Sequence, residues 1–209
     1  MRIAVFGAGG AVGSRVVAEA VARGHEVTAV SRREMPVPDG VRVRIGDASR
    51  ADDVEKISAG HDLVISATRP AVGRESELPA VAAAMLDGVA RGGVRLLVVG
   101  GAATLMVPGA GAPLSRTPEF PTELAAIAQA CADQLAACRA DATADWTYLS
   151  PPADLIPGER TGGYRVGADE LLVDADGIST ISMEDFAVAL LDEAERPAHR
   201  RARFTVAAR

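Results

Sequence analysis

Residues 7–13 read Gly7-Ala8-Gly9-Gly10-Ala11-Val12-Gly13, a glycine-dense turn between the apolar run 3–6 and a stretch in which Val16, Val17, Ala20 and Val21 recur at helical spacing. Gly24 supplies the stop. The opening is thus strand, glycine turn, helix, and the same alternation continues outward from it. Residues 27–30 form a second strand. Residues 41–45 form a third, in which Arg42 and Arg44 alternate with apolar residues as expected near a sheet edge. Ser49, with Asp52 three residues on, reads as a capping-box start for a short helix carrying Val54 and Ile57. Residues 63–67 are a buried strand. A helix with Leu78, Val81, Ala82, Met85, Leu86 and Val89 on one face runs to Gly92-Gly93, and residues 96–99 form the fifth strand. Alternating strands and helices of this kind build a parallel sheet covered on both faces, so the fold class is α/β: a Rossmann-like doubly wound parallel sheet.

After the fifth strand come a Gly- and Pro-rich loop over 100–121, a helix over 122–139 and a sixth strand over 146–149 closed by Pro151-Pro152. Residues 153–177 read as irregular, with hairpin-like pieces at 164–166 and 171–173. Ser182 with Asp185 caps a last helix, and 203–206 closes with a strand. With no linker or composition shift, residues 1–209 read as one nucleotide-binding domain in which about 150–209 forms a small lobe over the cofactor site.

The chain of 209 residues is 48% hydrophobic and 24% charged, the profile of a globular unit able to bury a core. A formal net charge of −6 gives no general attraction for nucleic acid or anionic lipid, and no apolar run reaches the ~18 to 20 residues of a membrane helix. The partner expected is a small-molecule acceptor, with neither nucleic acid nor membrane. The N-terminus enters its apolar run and glycine cluster without the features of a secretory signal, so the expected location is cytoplasmic. Cys131 and Cys138, seven apart on a helix, should have Cα atoms ~10 Å apart, too far for a disulfide, and read as buried thiols. No His, Cys, Asp and Glu grouping has metal-ligand spacing. Arg196, Arg200, Arg201 and Arg203 around His199 read as a solvated basic patch.

A dinucleotide pyrophosphate needs backbone without Cβ and N–H groups aimed at it from a helix N-terminus, which the turn supplies through Gly7, Gly9, Gly10, Ala11, Val12 and Gly13. The pattern G-x-G-x-x-G would put its third glycine at 12, where this chain has Val12. Glycines 7, 10 and 13 instead fit G-x-x-G-x-x-G. Where an NAD site places an acid at the end of the second strand, this chain has Ser31-Arg32-Arg33; two planar guanidiniums and a hydroxyl suit a 2′-phosphate, so NADP is favoured over NAD. Glu34 lies beyond the strand end. Arg15, in the first turn of the first helix, is placed to assist.

The glycine spacing resembles the short-chain dehydrogenase/reductase superfamily. That resemblance implies that Asp47, in Gly46-Asp47-Ala48, contacts adenine, although Asp47 also reads as part of the helix start before Ser49. It also implies that Ala67-Thr68 line the nicotinamide ribose. The superfamily's Tyr and Lys four apart are absent: the tyrosines are Tyr148 and Tyr164, and Lys56 is the lone lysine. Thr104 is the one hydroxyl near the superfamily's Ser position and is the candidate catalytic residue.

Within the superfamily the chain resembles the atypical branch of NmrA-like proteins, biliverdin-IXβ/flavin reductases and, nearest, bacterial NADH-flavin reductases. The most specific residues are Asp145-Trp146-Thr147, Ser150-Pro151-Pro152, Pro157-Gly158, Arg160-Thr161-Gly162, Tyr164-Arg165, Gly167, Ile181-Ser182, Glu184-Asp185-Phe186-Ala187, His199 and Arg203-Phe204-Thr205. The resemblance implies an NAD(P)H-dependent oxidoreductase passing hydride from NADPH to a flavin or quinone-like acceptor. A flavin can take its proton from water, which suits the missing Tyr-Lys pair. The alternative it implies is a non-catalytic NADP-binding sensor of NmrA type. Met106, Leu114 and Phe120 in the long loop, with Pro151, are the apolar candidates for an acceptor platform.

Overall fold

The computed structural model describes all residues, 1–209. In chain order the elements are β1 (Arg2–Phe6), α1 (Ala11–Ala22), β2 (Glu26–Ser31), β3 (Arg42–Ile45), α2 (Ala51–Ser58), β4 (Leu63–Ser66), α3 (Leu78–Gly92), β5 (Arg95–Val99), α4 (Ala125–Ala140), β6 (Trp146–Ser150), β7 (Asp154–Ile156), β8 (Tyr164–Gly167), β9 (Thr180–Ser182), α5 (Met183–Glu195) and β10 (Ala202–Ala208). Eight strands form one sheet in the order β3-β2-β1-β4-β5-β6-β10-β8, parallel throughout except for β8, which runs antiparallel to β10. The expected Rossmann-like α/β fold is observed. No helix is long and apolar enough to cross a membrane.

The central strands are buried on both faces, which is why β1 and β4 read as unbroken apolar runs rather than alternating ones. On one face, Ile3, Val5, Ile65 and Leu149 meet Val16 and Val17 of α1 and Phe186 and Leu190 of α5. On the other, Ala4, Phe6, Val64 and Val98 meet Val54 of α2, Met85 and Val89 of α3 and Leu135 of α4. The order of strands turns back between β1 and β4, the switch point at which ligands bind in such sheets.

Several local expectations give way to the structure. Ser49 does not cap α2: its N–H and hydroxyl donate to Asp47 Oδ1 at 2.9 and 2.8 Å, and the N-cap, Arg50, has no side-chain cap. The piece at 164–166 pairs not with 171–173 but with β10, so the hairpin does not form. Residues 150–209 divide in two: β10 and β8 extend the main sheet and α5 packs beside α1, while β7 and β9 pair as a separate two-stranded ribbon. Long-range pairing decided the last two points, and local sequence does not report it, whereas Ser49 is held by a local contact with Asp47. The cap of α5 forms as expected, Ser182 Oγ accepting from the Asp185 N–H at 3.0 Å.

The basic patch is also different in kind. Arg203 is buried. His199 donates to or accepts from Glu193 at 2.8 Å and stacks on Phe204, with ring centroids 4.2 Å apart. Arg200 pairs with Asp145, and Arg201 caps carbonyls at 141, 142 and 144 after α4. Cys131 and Cys138 are free, and burial pushes the Cys138 thiol up to about 12.

Candidate functional site

The glycine turn is shaped by two contacts that leave no space for a side chain. Gly7 has φ +77°, and a Cβ there would stand 2.5 Å from the Ala67 carbonyl oxygen, so β1 and β4 meet backbone to backbone at the switch point. A Cβ on Gly13 would stand 2.1 Å from the Gly7 oxygen, which is what lets the first turn of α1 lie directly on the turn. The Gly10 N–H donates to the Gly7 carbonyl at 2.9 Å, and the first bond of the α1 ladder is from the Ser14 N–H to the Gly10 oxygen. The N–H groups of Ala11, Val12 and Gly13 precede that ladder, and Gly10 offers no side-chain cap. Gly9, Gly10 and Ala11 are exposed, so the positive end of α1 faces outward over bare backbone. A nucleotide pyrophosphate fits this cradle by shape and by charge.

Beyond β2, Arg32 and Arg33 are exposed and without an ion-pair partner, while the Ser31 hydroxyl is engaged by the Arg33 backbone and is not free as expected. Arg32, Ile45, Gly46, Asp47 and Asp53 line an open cleft of about 220 Å³. Asp47 is held below the usual carboxylate range by the Ser49 N–H, then the Ser49 hydroxyl, with Arg32 and Arg50 adding attraction. Ala48 is half-buried against the second core. Ile45, 57% exposed at the end of β3, is a flat apolar flank that the sequence reading missed; its signal is an apolar residue at a strand end that needs no core partner. Arg15, expected to assist with phosphate, is instead paired with Glu184 at 2.9 Å.

At the carboxyl end of β4, Ala67 and Thr68 follow beside the turn, with Thr68 Oγ1 3.1 Å from Ser66 Oγ. Thr104 is drawn elsewhere. Its hydroxyl accepts from Arg203 Nη1 at 2.8 Å, and Arg203 stands in register with Tyr148 at the middle of β6. Arg203 Nε also donates to Asp169 Oδ1 at 2.7 Å, and the backbone of Met106 bonds to 169 and 171. Thr104 and Met106 therefore run down the flank of β10 rather than across the strand ends, and they leave the candidate catalytic and platform set. The chain then returns: Leu114 and Ser115 bond back onto Leu105 and Ala103, which ties the turn Leu114–Arg116 to the start of the loop, and Phe120 follows it, half-buried. Pro151 is buried at the end of β6 and offers packing rather than a platform.

Neither phenol is available as a proton donor at the carboxyl ends. Tyr148 is buried under Gly100 and α4: it accepts from the Gly101 N–H at 3.2 Å, and its hydroxyl lies 3.2 and 3.1 Å from Cys131 O and Gln134 Oε1. Burial pushes its pKa up. Tyr164 donates to Asp192 Oδ2 at 2.6 Å, on the α5 side of the sheet. Tyr148→Phe and Tyr164→Phe should each cost less than about tenfold in turnover, where a general acid contributes about 10² to 10⁴-fold. Steady-state rates at saturating NADPH check this. A thousandfold loss with fold and cofactor affinity intact would overturn the assignment.

The C-terminal motif residues form a clasp. Glu184 accepts from Arg15 and from the Gly158 N–H at 2.8 Å. Asp185 accepts from the Thr161 hydroxyl at 2.6 Å and the Gly162 N–H at 2.7 Å. Buried Glu19 on α1 takes both Arg160, at 2.7 and 2.8 Å, and Arg23, at 2.8 Å. The Arg160 bond, outweighing burial, holds its carboxyl down at about 2. The segment 158–162 is thus tied to α1 beside the cradle.

A family profile described as NAD(P)H-binding matches residues 7–194. The chain belongs to this NAD(P)H-binding family. The uncharacterized protein YwnB of Bacillus subtilis is 39% identical over 213 residues, 99% of this chain and 98% of that protein. Among solved structures, a putative exported protein from Burkholderia pseudomallei is 42% identical with a TM-score of 0.91, covering 99% of each chain. A putative NADH-flavin reductase from Streptococcus pneumoniae is 34% identical with a TM-score of 0.90, covering 100% of each chain. The resemblance to NADH-flavin reductase-like proteins seen in the sequence holds across the whole chain.

Proposed function

We propose that this NAD(P)H-binding protein is an NADPH-dependent oxidoreductase that serves a planar flavin or quinone-like acceptor without a proton donor of its own. The observation that carries this reading is the pairing of a bare-backbone phosphate cradle with carboxyl strand ends that hold no catalytic acid: Tyr148 is bonded in the interior, Tyr164 is bonded to Asp192 on α5, Thr104 is held by Arg203, and Lys56 lies on α2. The bound nicotinamide would supply hydride. The residues of the chain bind and orient. The N–H groups of Ala11, Val12 and Gly13 hold the pyrophosphate, Arg32 and Arg33 take the 2′-phosphate, and Ile45 with Asp47 flank the adenine. Ala67 and Thr68 border the nicotinamide ribose, and an acceptor that takes its proton from water needs only to be stacked in place. The family relationship to a putative NADH-flavin reductase supports the same reading.

The test is NADPH oxidation at 340 nm with FMN, riboflavin and a quinone offered in turn. Tight NADPH binding without turnover on any acceptor would replace this reading with the sensor. Cofactor choice has its own test. Arg32→Glu should weaken NADPH binding about ten- to a hundredfold, the range for a hydrogen bond to a charged group, and leave NADH nearly untouched. Titrations showing equal losses for the two cofactors would rule out recognition of the 2′-phosphate.

A further inference from the structure

We infer that the acceptor end of the site carries an anion subsite formed by Arg69 and Arg116, so that the acceptor is an anionic one, FMN being the flavin of that class and riboflavin its uncharged counterpart. The inference rests on the reading above and names the acceptor class.

It comes from where the arginines are not used. Thirteen of the 21 arginines lie within ion-pair distance of a carboxylate, and Arg165 and Arg201 bond to backbone carbonyls. Of the six left over, Arg209 is the C-terminal residue. Arg32, Arg33 and Arg44 stand at the nucleotide end, after β2 and on β3, and Arg69 and Arg116 stand past the ends of β4 and β5. In a chain this rich in ion pairs, the arginines without partners, Arg209 apart, follow the carboxyl ends of the strands or lie on β3 at the sheet edge.

Arg69 and Arg116 also share one corner at those carboxyl ends. β4 and β5 are neighbours, with Ser66 beside Val98, and Arg69 follows three residues after Ser66. The charge of Arg69 reaches the Cys131 thiol, which packs on Gly101, just past β5: a Cβ on Gly101 would stand 2.8 Å from Cys131 Sγ. From the other side, the Ser115 N–H donates to the Ala103 carbonyl at 2.9 Å, which ties the turn Leu114–Arg116, and Arg116 with it, to the start of the loop just past β5. Both residues are exposed, and neither Glu119 in the loop nor Glu123 in the turn after it pairs with Arg116. The chain as a whole is negative, at −6, so its overall field repels anions and selection for one must come from cations placed at the site. Arginine forks suit a phosphate, carboxylate or sulfonate.

The experiment compares FMN with riboflavin, which share the same ring, by flavin fluorescence titration of the protein loaded with NADP⁺. At low salt FMN should bind about tenfold more tightly, and raising the salt to ~0.5 M should remove most of that difference, because exposed charges are screened. Arg69→Gln with Arg116→Gln should bind FMN and riboflavin equally while riboflavin and NADPH affinities hold. Equal binding of the two flavins by the unaltered protein overturns the inference, as does a preference that survives the double substitution. So does a double variant that loses NADPH instead of FMN, which would assign these arginines to the cofactor. If neither flavin binds, the flavin reading fails on its own, and the same comparison between 1,4-naphthoquinone and its 2-sulfonate decides the subsite by the same outcomes.

Discussion

Gly10→Asp should leave the protein folded and raise the Kd for NADPH by at least about a hundredfold. Gly10 is the N-cap of α1, with φ −76° and ψ 168°, a backbone conformation that Asp adopts freely and a position where Asp is a favoured cap. A Cβ there would lie 3.2 Å from the Gly7 oxygen, a contact relieved by a few tenths of an ångström. The fold therefore tolerates the change. The new carboxylate, however, would accept the N–H groups of Val12 and Gly13 that the pyrophosphate needs. It would also stand against the phosphate charges, a repulsion of about 1 kcal/mol per unit pair at ~4 Å in bulk water and about 4 kcal/mol at the effective dielectric of a protein surface. Together these exceed the ~2.7 kcal/mol that a hundredfold requires. Gly10→Asn keeps the cap without the charge and should lose less. An unchanged NADPH affinity in Gly10→Asp, by fluorescence titration, would sink the proposed phosphate site.

Glu193→Ala should destabilise the fold by about 3 to 5 kcal/mol, the cost of leaving a buried charge without its partner. Arg95, at the start of β5, is 8% exposed. Its Nη2 donates to Glu193 and, at 2.9 Å, to Thr147 Oγ1, while Nη1 reaches the Glu193 carbonyl at 3.0 Å. Glu193 also accepts from the Ala198 and His199 N–H groups and from His199 Nδ1, so one carboxylate joins α5, β5 and the approach to β10. Burial opposes its ionisation, but the bonds from His199, Ala198 and Arg95 outweigh burial and leave its pKa lowered. With the folded pKa below the unfolded one, the carboxylate stabilises the fold fully above the unfolded pKa, and that contribution is lost as pH falls through the folded value. Urea denaturation should show the midpoint of Glu193→Ala displaced and its slope unchanged. Arg95→Met with Glu193→Leu should recover most of the loss, because no charge is then left buried. A single variant that costs less than about 1 kcal/mol would show the pair to be dispensable.

Both predictions rest on residues that the sequence marked unequally. Gly10 stood out at once, because glycines at 7, 10 and 13 between an apolar run and an amphipathic stretch have few other uses. Glu193 and Arg95 carried no local signal: they are 98 residues apart in the chain and meet only when β5 and α5 pack. The same distance explains the reassignment of Thr104. Its place in a long loop after the fifth strand pointed to chemistry, but Arg203, 99 residues away, takes its hydroxyl and turns the loop down the flank of β10. Arg15 and Arg203 look like free cations in the sequence, which shows charges without their partners.

The sequence by itself determined the alternation of strands and helices, the parallel sheet buried on both faces, the glycine turn before α1 and the basic end of β2. Each of these is written in residues close together in the chain, through periodicity, turn glycines and strand-end composition, and local sterics suffice to impose them. The tertiary structure alone decided that β8 and β10 join the main sheet and that 158–162 is clasped against α1. It alone decided which of 21 arginines are spent in ion pairs and which few remain unpaired at the strand ends. Those outcomes depend on pairings between segments distant in sequence, where the partner is chosen by packing, register and the cost of burying an unpaired charge, and no local pattern carries that information.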